Sequence, residues 1–149
     1  MIVNRILPAI FALALGLAIA GAAQADTPET VTGAKTVSAQ DVVKEKAAGA
    51  VLIDARVASE FADGHIKDAV NVPYREKSDK SVNFDAGQDE FNLGKLPADK
   101  SAPIVIYCNG PECWKSFKAT TAAVKGGYTN IYWYRAGFPD WKSQGLPTE

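Results

Sequence analysis

The stretch Ile104–Ser116, IVIYCNGPECWKS, places a short apolar run directly before a helical pattern and contains both cysteines of the chain. Its first four residues are apolar and mostly β-branched, which is typical of a strand covered on both faces. Helical spacing begins near Ser116. The pattern therefore predicts that Cys108 lies at the carboxyl end of a strand, the edge at which open α/β sheets bind ligands.

Cys108 is the candidate catalytic nucleophile. Backbone N–H groups at the start of the following helix favour an anion, so the thiol of Cys108 is expected to ionise more readily than a free thiol. A purely structural disulfide with the second cysteine is the alternative reading in an exported protein. The loop that would surround an anion here comprises Asn109, Gly110, Pro111, Glu112, Cys113, Trp114 and Lys115.

Three of these loop residues carry specific expectations. Lys115 either attracts an anionic substrate or is an exposed lysine that contacts nothing. Glu112 would repel an anion, so we expect it to face solvent. Trp114 either shields the thiol, stacks on a ligand or simply packs against the domain.

The first 25 residues predict export. Arg5 precedes a long apolar run, and Ala23-Gln24-Ala25 fits the A-x-A pattern of a signal-peptidase site. Residues 1–25 are therefore predicted to be a cleaved signal peptide and the protein to be periplasmic, with no membrane contact after cleavage. An uncleaved membrane anchor is the alternative.

The remaining chain predicts one domain with an α/β fold. Residues 26–34 are polar and read as a flexible tether before a domain at 35–149. Predicted strands at 50–54, 69–72, 104–107 and 131–134 alternate with predicted helices near 41–48, 59–62, 115–125 and 139–143. Such alternation predicts a mainly parallel central sheet flanked by helices, in three layers. A polar excursion at 74–96 would form either a wall beside the site or a solvated connector.

Composition excludes several classes of function. The formal net charge is −1, which argues against nucleic acid and acidic membranes as partners. One histidine and two cysteines cannot supply the four ligands of a structural zinc ion. The CxxCH and GxxxxGK[ST] patterns are absent from the sequence. We therefore expect neither a metal nor another cofactor.

Two motifs carry a resemblance that covers nearly the whole mature chain. D-x-R at Asp54–Arg56 is followed by E-F-x-x-G-H-I-x-x-A-x-N from Glu60 to Asn71. After Cys108 come Gly127 and Tyr128, and then G-F-x-x-W at Gly137–Trp141. Together these features resemble the single-domain rhodanese-like family, the thiosulfate sulfurtransferases.

The resemblance implies a rhodanese-like fold and sulfur transfer through Cys108. A Cys108 thiolate would attack the outer sulfur of thiosulfate, expel sulfite and retain a persulfide, which a thiol or cyanide then removes. The implied partners are a small sulfur-containing anion and that acceptor, with a periplasmic protein as a further acceptor. No general base is required.

The loop departs from the family pattern. Seven residues separate Cys108 from Ser116, where the family usually has five, and the usual loop arginine is absent. The loop instead resembles that of a small exported subgroup in which a second cysteine precedes a tryptophan.

The C-x4-C spacing and the larger loop leave other functions open. In a thiol redox protein, Cys113 would resolve an oxidised Cys108 as a disulfide. A non-catalytic module would carry sulfur or an oxyanion to a partner. A larger cradle also admits reduction of an oxyanion or phosphatase-like chemistry.

Other polar and aromatic residues are predicted to be structural. Asp54, Arg56 and Glu60 are expected to form a local network at the end of a strand. His65 lies in a turn of the first motif and is expected to support it. Trp133 lies between two tyrosines on a predicted strand, where aromatic residues usually belong to the core or a sheet face.

Overall fold

The computed structural model describes residues 25–149, and a five-stranded sheet forms its centre. The strands are β1 (Lys35–Thr36), β2 (Val51–Asp54), β3 (Val70–Asn71), β4 (Ile104–Tyr107) and β5 (Ile131–Tyr134). The helices are α1 (Ala39–Ala47), α2 (Ala58–Asp63), α3 (Trp114–Lys125) and α4 (Gly137–Ser143). The strand order is β1-β5-β4-β2-β3, and every neighbouring pair is parallel. The predicted α/β fold with a parallel sheet flanked by helices is confirmed.

Strand β4 explains why the sheet carries helices on both faces. Its four residues are all buried, and successive side chains of a strand point to opposite faces. Ile104 and Ile106 join one core cluster, which includes Ala119 of α3. Val105 and Tyr107 join a second cluster with residues of α1 and α4, Val42 and Trp141 among them. The apolar run in the sequence is thus the middle of three layers.

Helix boundaries agree with the sequence pattern to within two residues where they matter for the site. At α1, the Ser38 side chain accepts from the backbone N–H of Asp41, and the Asp41 carboxylate accepts from the backbone N–H of Ser38. Helix α3 begins at Trp114, one residue earlier than predicted. The loop after Cys108 therefore ends at Cys113, and Trp114 and Lys115 belong to the first helical turn.

The segment before β1 differs from the flexible tether predicted for residues 26–34. Thr27 and Val31 are buried, 3% and 7% exposed. Thr27 donates twice to the carbonyl of Pro111, from its backbone N (2.8 Å) and its Oγ1 (2.7 Å). Arg135 in turn donates to the carbonyl of Thr27 (2.7 Å). Polar composition did not reveal these partners, which come from distant parts of the chain.

The predicted signal peptide lies outside the described residues, apart from Ala25. Within the part of the chain that the structure describes, no helix is both long enough and apolar enough to cross a bilayer.

A buried polar cluster fixes the excursion at 74–96 against α3. Lys118 of α3 is 0% exposed, and its Nζ lies 2.9 Å from a carboxylate oxygen of Glu76. The same Nζ donates to Ser78 Oγ (2.8 Å) and lies 3.7 Å from Asp89. Because a buried ammonium is costly without partners, Lys118 fixes this part of the excursion to α3, the helix that follows the loop after Cys108. Phe84 adds an apolar contact with Phe117.

Asp89 is the acceptor that organises the excursion. Its carboxylate accepts from Ser78 Oγ (2.6 Å), from Tyr74 Oη (2.8 Å) and from the backbone N–H groups of Lys77 and Ser78 (2.7 Å each). Burial alone would raise the pKa of Asp89, but the hydrogen bonds, those from Ser78 foremost, outweigh it and hold that pKa well below its usual range. Folding therefore stabilises the ionised form of the Asp89 carboxylate.

Acidification should loosen the excursion through Asp89. The pKa of Asp89 is lower in the folded than in the unfolded chain, where it is about 3.9. Its stabilising contribution is therefore complete above about pH 5 and is lost as the pH falls towards the folded-state pKa. We expect Asp89→Asn to lower the free energy of unfolding at pH 7 and to flatten its decline between about pH 5 and 2.

Urea denaturation at several pH values measures this effect. Asp79→Asn, which changes an exposed carboxylate of the same segment, is the matched control and should behave as wild type. An Asp89→Asn variant that kept the full acid sensitivity of the wild type would contradict the prediction.

Candidate active site

Cys108 follows β4 directly and lies at the carboxyl edge of the sheet, as predicted. It is 1% exposed, and its carbonyl accepts a hydrogen bond from the backbone N–H of Phe138 (2.8 Å). The chain then turns through 109–113, with Cys113 as the N-cap of α3. The sulfur of Cys108 thus lies beside the start of a three-turn helix, where partial positive charge collects.

Ser116 and Trp133 form a hydrogen-bond relay onto this sulfur. The backbone N of Ser116 lies 3.3 Å from Cys108 Sγ, and its Oγ lies 3.0 Å from the same atom. Trp133 Nε1 donates to Ser116 Oγ (3.0 Å). An indole N–H can only donate, so Ser116 Oγ accepts there and its own proton is free to point at Cys108 Sγ.

This relay favours negative charge on Cys108. Two donors converge on one sulfur atom in a buried site, where charge-assisted hydrogen bonds are stronger than neutral ones. The carbonyl of Cys113 lies 3.2 Å from the sulfur and would accept from a neutral thiol instead. Because two donors and only one acceptor surround the sulfur, the thiolate of Cys108 is favoured over its neutral thiol.

Cys108 and Cys113 are joined by a disulfide, with their Cα atoms 6.4 Å apart. In this disulfide-bonded form neither cysteine can act as a nucleophile. The two cysteines differ in access, because Cys108 is buried whereas Cys113 is partly exposed. Any chemistry at Cys108 begins with the opening of this bond.

A cleft of about 240 Å³ opens beside Cys113. Two of its residues, Glu76 and Lys80, come from the excursion, which forms the wall that was one of the two expectations for it. The loop and the first turn of α3 contribute the rest: Asn109, Glu112, Cys113, Trp114 and Lys115. Glu112 is exposed, as expected, yet it borders the cleft. Two lysines and two glutamates therefore line the cleft beside the partly exposed Cys113.

The remaining predicted loop residues, Gly110 and Pro111, shape the backbone instead. Gly110 has a φ of +125°, a backbone conformation that residues other than glycine rarely adopt. Pro111 presents its carbonyl to Thr27, away from the cleft. Trp114 is 5% exposed and donates from Nε1 to the carbonyl of Ala25 (3.1 Å). Its indole packs against Phe117 and borders the cleft as well.

The Asp54, Arg56 and Glu60 network differs in part from the prediction. Arg56 and Asp54 form a buried ion pair at 2.6 Å, and Arg56 also donates to the carbonyl of Gly64 (2.7 Å). Glu60 does not join them through a hydrogen bond. It accepts from Asn109 Nδ2 instead, because α2 ends beside the loop. Glu60 is therefore a support of the active-site loop.

His65 supports a turn, as predicted. Its Nδ1 lies 2.9 Å from the carbonyl of Phe61, to which it donates in the corresponding tautomer, and its ring stacks on that of Phe61 with centroids 3.6 Å apart. Its Nε2 faces Glu149 at 3.6 Å. None of these partners belongs to the cleft.

The contacts of Thr27 predict that the N-terminal segment stiffens the loop. Thr27→Val keeps the shape of the side chain but removes the Oγ1 donor to Pro111 and the acceptor for Arg135 Nε (3.2 Å). We expect a loss of about 1 kcal/mol in the free energy of unfolding. Amide exchange at Cys113, whose N–H donates to the carbonyl of Gly110 (3.0 Å), should become faster.

Thr129→Val is the matched control for this variant, because the Thr129 hydroxyl donates to the carbonyl of Lys100 in an exposed position far from the N-terminal segment. It should leave exchange at Cys113 unchanged. Equal exchange rates in Thr27→Val and the wild type would show that the segment does not hold the loop.

The fold and site place this chain among the proteins that carry a cysteine at the start of a helix in a parallel α/β domain. A family model for the rhodanese-like domain matches residues 38–144. The chain belongs to the rhodanese-like family.

Two curated relatives are sulfurtransferases by name. Thiosulfate sulfurtransferase 16, chloroplastic, of Arabidopsis thaliana is 34% identical over 102 residues, 68% of this chain and 82% of that protein. Thiosulfate:glutathione sulfurtransferase of Saccharomyces cerevisiae is 32% identical over 95 residues, 64% of this chain. The alignment spans 66% of the yeast protein, slightly less than two thirds of its length.

Solved structures support the fold. The polysulfide-sulfur transferase homodimer of Wolinella succinogenes has a TM-score of 0.56 at 20% identity, over 78% of this chain and 79% of that one. The thiosulfate sulfurtransferase of Pseudomonas aeruginosa has a TM-score of 0.57 at 19% identity, over 78% of this chain and 20% of that one. At these identities the likeness shows the fold alone.

Proposed function

We propose that this protein is a periplasmic rhodanese-type sulfurtransferase that moves sulfane sulfur from thiosulfate or a similar donor to a thiol or cyanide acceptor. The persulfide would form on Cys108. The observation that carries the proposal is the pair of donors from Ser116, backbone and hydroxyl, that converge on the buried sulfur of Cys108. The names of the plant and yeast relatives support thiosulfate as the donor.

The reaction divides into two displacements at sulfur. The Cys108 thiolate attacks the outer sulfur of thiosulfate, the bond between the two sulfur atoms of thiosulfate breaks, and sulfite leaves with the electron pair of that bond. An acceptor thiolate or cyanide then attacks the outer sulfur of the persulfide and restores the Cys108 thiolate. The first step starts from negative charge on the Cys108 sulfur and the second returns it there, so the Ser116 donors can stabilise the thiolate that opens and closes the cycle.

The cleft has the size of a small anion, and charged side chains flank it. Lys80 and Lys115 would attract thiosulfate to the mouth, while Glu76 is drawn towards the buried Lys118 at 2.9 Å. Because the loop lacks the arginine usual in the family, recognition would depend more on backbone N–H groups and on Asn109. A weak affinity for thiosulfate, strengthened at low ionic strength, is the result we expect.

Export is part of the proposal. The pattern of residues 1–25 supports a cleaved signal, with Asp26 as the first residue of the mature protein, and the CW pair at Cys113-Trp114 supports membership of an exported subgroup. A periplasmic protein thiol would then be a natural acceptor. Intact mass after periplasmic fractionation tests this, and a membrane-bound product that retained Met1 would contradict it.

The test of the reaction is the mass of the persulfide. The protein is first reduced and freed of reductant, then treated with thiosulfate and cleaved after glutamate. Cleavage after Glu90 and Glu112 places Cys108 in the peptide 91–112 and Cys113 in the peptide 113–149. We expect a gain of about 32 Da on the Cys108 peptide, reversed by cyanide with formation of thiocyanate. No gain with any sulfane donor would contradict the proposal.

The disulfide favours one second candidate, a thiol redox protein in which Cys113 resolves an oxidised Cys108. Cys113→Ala separates the two functions. In a sulfurtransferase this variant should still form the persulfide and should no longer need reductant. If it takes up sulfur at Cys108 but completes no turnover, Cys113 is a resolving cysteine.

A further inference from the structure

The two sulfurs of the disulfide face different surroundings, and this difference assigns them different roles in its opening. Cys108 is 1% exposed and has Ser116 atoms at 3.0 and 3.3 Å from its sulfur. Cys113 is partly exposed and borders the cleft of about 240 Å³. Cys113 is therefore the more accessible of the two cysteines to a thiolate from solvent.

We propose that Cys113 is a thiol-exchange site, at which a low-molecular-weight thiol forms a mixed disulfide and thereby releases Cys108 for catalysis. The inference rests on the proposed function in that Cys108 is taken as the working thiolate. The cleft has the size of a small molecule. Of its charged lining residues, Glu76 is paired with Lys118, which leaves Lys80 and Lys115 against Glu112 to attract an incoming thiolate.

The exchange balances without any further oxidant. The incoming thiolate attacks Cys113 Sγ, a new bond forms between these two sulfurs, and the Cys113–Cys108 bond breaks. Cys108 leaves with the electron pair as a thiolate. A second equivalent of thiol then attacks the bound thiol's sulfur, which releases a small-molecule disulfide and the Cys113 thiolate. Two thiols are oxidised and one protein disulfide is reduced.

The leaving group supports the same direction of attack. Exchange is faster when the departing sulfur is a stabilised thiolate, and the donors of Ser116, oriented by Trp133, stabilise Cys108 rather than Cys113. Access and leaving-group stability therefore both favour attack at Cys113. The hydrogen bonds that stabilise the Cys108 thiolate for sulfur transfer thus also stabilise it as the leaving group of the exchange.

Limiting glutathione and a rapid maleimide quench test the assignment. The oxidised wild-type protein receives one equivalent of glutathione, is quenched with excess maleimide and is cleaved after Glu112, which separates the two cysteines. We expect the adduct of about 305 Da on the Cys113 peptide and maleimide on the Cys108 peptide, with at least a tenfold excess over the reverse arrangement. An adduct on Cys108, or equal amounts on both, would overturn the proposal.

A rate measurement gives a second, independent test. Ser116→Ala removes the hydroxyl donor to Cys108, so reduction by glutathione should slow severalfold if Cys108 is the leaving group. Ser143→Ala, which changes an exposed serine of α4, should reduce at the wild-type rate. An unchanged rate in Ser116→Ala would contradict the role of Cys108 as the leaving sulfur.

Failure of the inference differs from failure of the proposed function. If the fully reduced protein takes up sulfur from thiosulfate but glutathione adducts form on Cys108, only the proposed exchange site at Cys113 is contradicted. Adducts on Cys113 in a protein that never forms a persulfide would contradict only the proposed sulfurtransferase function.

Discussion

Cys108→Ser is expected to abolish sulfur transfer from thiosulfate, with a fall in turnover on the order of 10³-fold or more. A serine hydroxyl does not ionise near neutral pH and cannot hold a persulfide, whereas the similar size of the two side chains preserves the packing at a position that is 1% exposed. The free energy of unfolding of the reduced protein should change by less than about 1 kcal/mol. Cyanide-dependent thiocyanate formation and urea denaturation measure the two quantities.

Cys113→Ser is the matched control for the loss of a thiol. Under reducing conditions it should keep turnover within severalfold of wild type and should form the persulfide on Cys108. Without reductant it should be more active than the wild-type protein, because the disulfide can no longer form. Wild-type turnover in Cys108→Ser would rule out Cys108 as the nucleophile.

Gly137→Ala should be the most damaging single-methyl change near the site. Gly137 has a φ of +72°, and an added Cβ would lie 2.7 Å from the backbone N of Gly110 and closer still to the carbonyl oxygen of Cys108. The hydrogen bond from the Phe138 N–H to that carbonyl (2.8 Å) leaves the backbone no room to move away. We expect a loss of about 3 kcal/mol or more in the free energy of unfolding.

Gly145→Ala separates the conformational cost from the collision. Gly145 has a similar φ of +67°, but nothing lies within 4 Å of an added Cβ. Its substitution should therefore cost only the penalty of the left-handed conformation, about 1 kcal/mol. The free energy of unfolding, measured by urea denaturation, should fall much less in Gly145→Ala than in Gly137→Ala, and the rate of persulfide formation should be near that of wild type only in Gly145→Ala. Equal stabilities of the two variants would show that the loop yields to the methyl group.

The sequence could predict the fold because its signals are local. The β-branched run at 104–107 and the alternation of strands with helices each depend on near neighbours. The position of Cys108 followed from the same reasoning, since a strand followed by a helix places the connecting residue at the sheet edge. The starts of the four helices differ from the predicted ones by one or two residues, and the two-residue strand β1 is not among the predicted strands.

The supports of the site could not be predicted in the same way. Trp133 reads as a core residue on its strand, and nothing in its neighbourhood indicates that its indole N–H reaches Ser116. Thr27 and Arg135 are 108 positions apart and yet share a hydrogen bond. Such contacts depend on tertiary packing. Polarity suggested a mobile segment at 26–34, where burial of Thr27 and Val31 produced an ordered one.

The docked N-terminal segment has a consequence for the order of events after synthesis. The bond between Ala25 and Asp26, at which the proposed signal peptide ends, adjoins Thr27, which is 3% exposed in the folded domain. A peptidase requires an extended, accessible strand at its cut site. Leader removal should therefore precede the final closure of the segment over the loop. In a precursor that folded first, Ala25 and Asp26 would be exposed, but the carbonyl of Ala25 would already accept from Trp114 Nε1 (3.1 Å) and cleavage should be slowed.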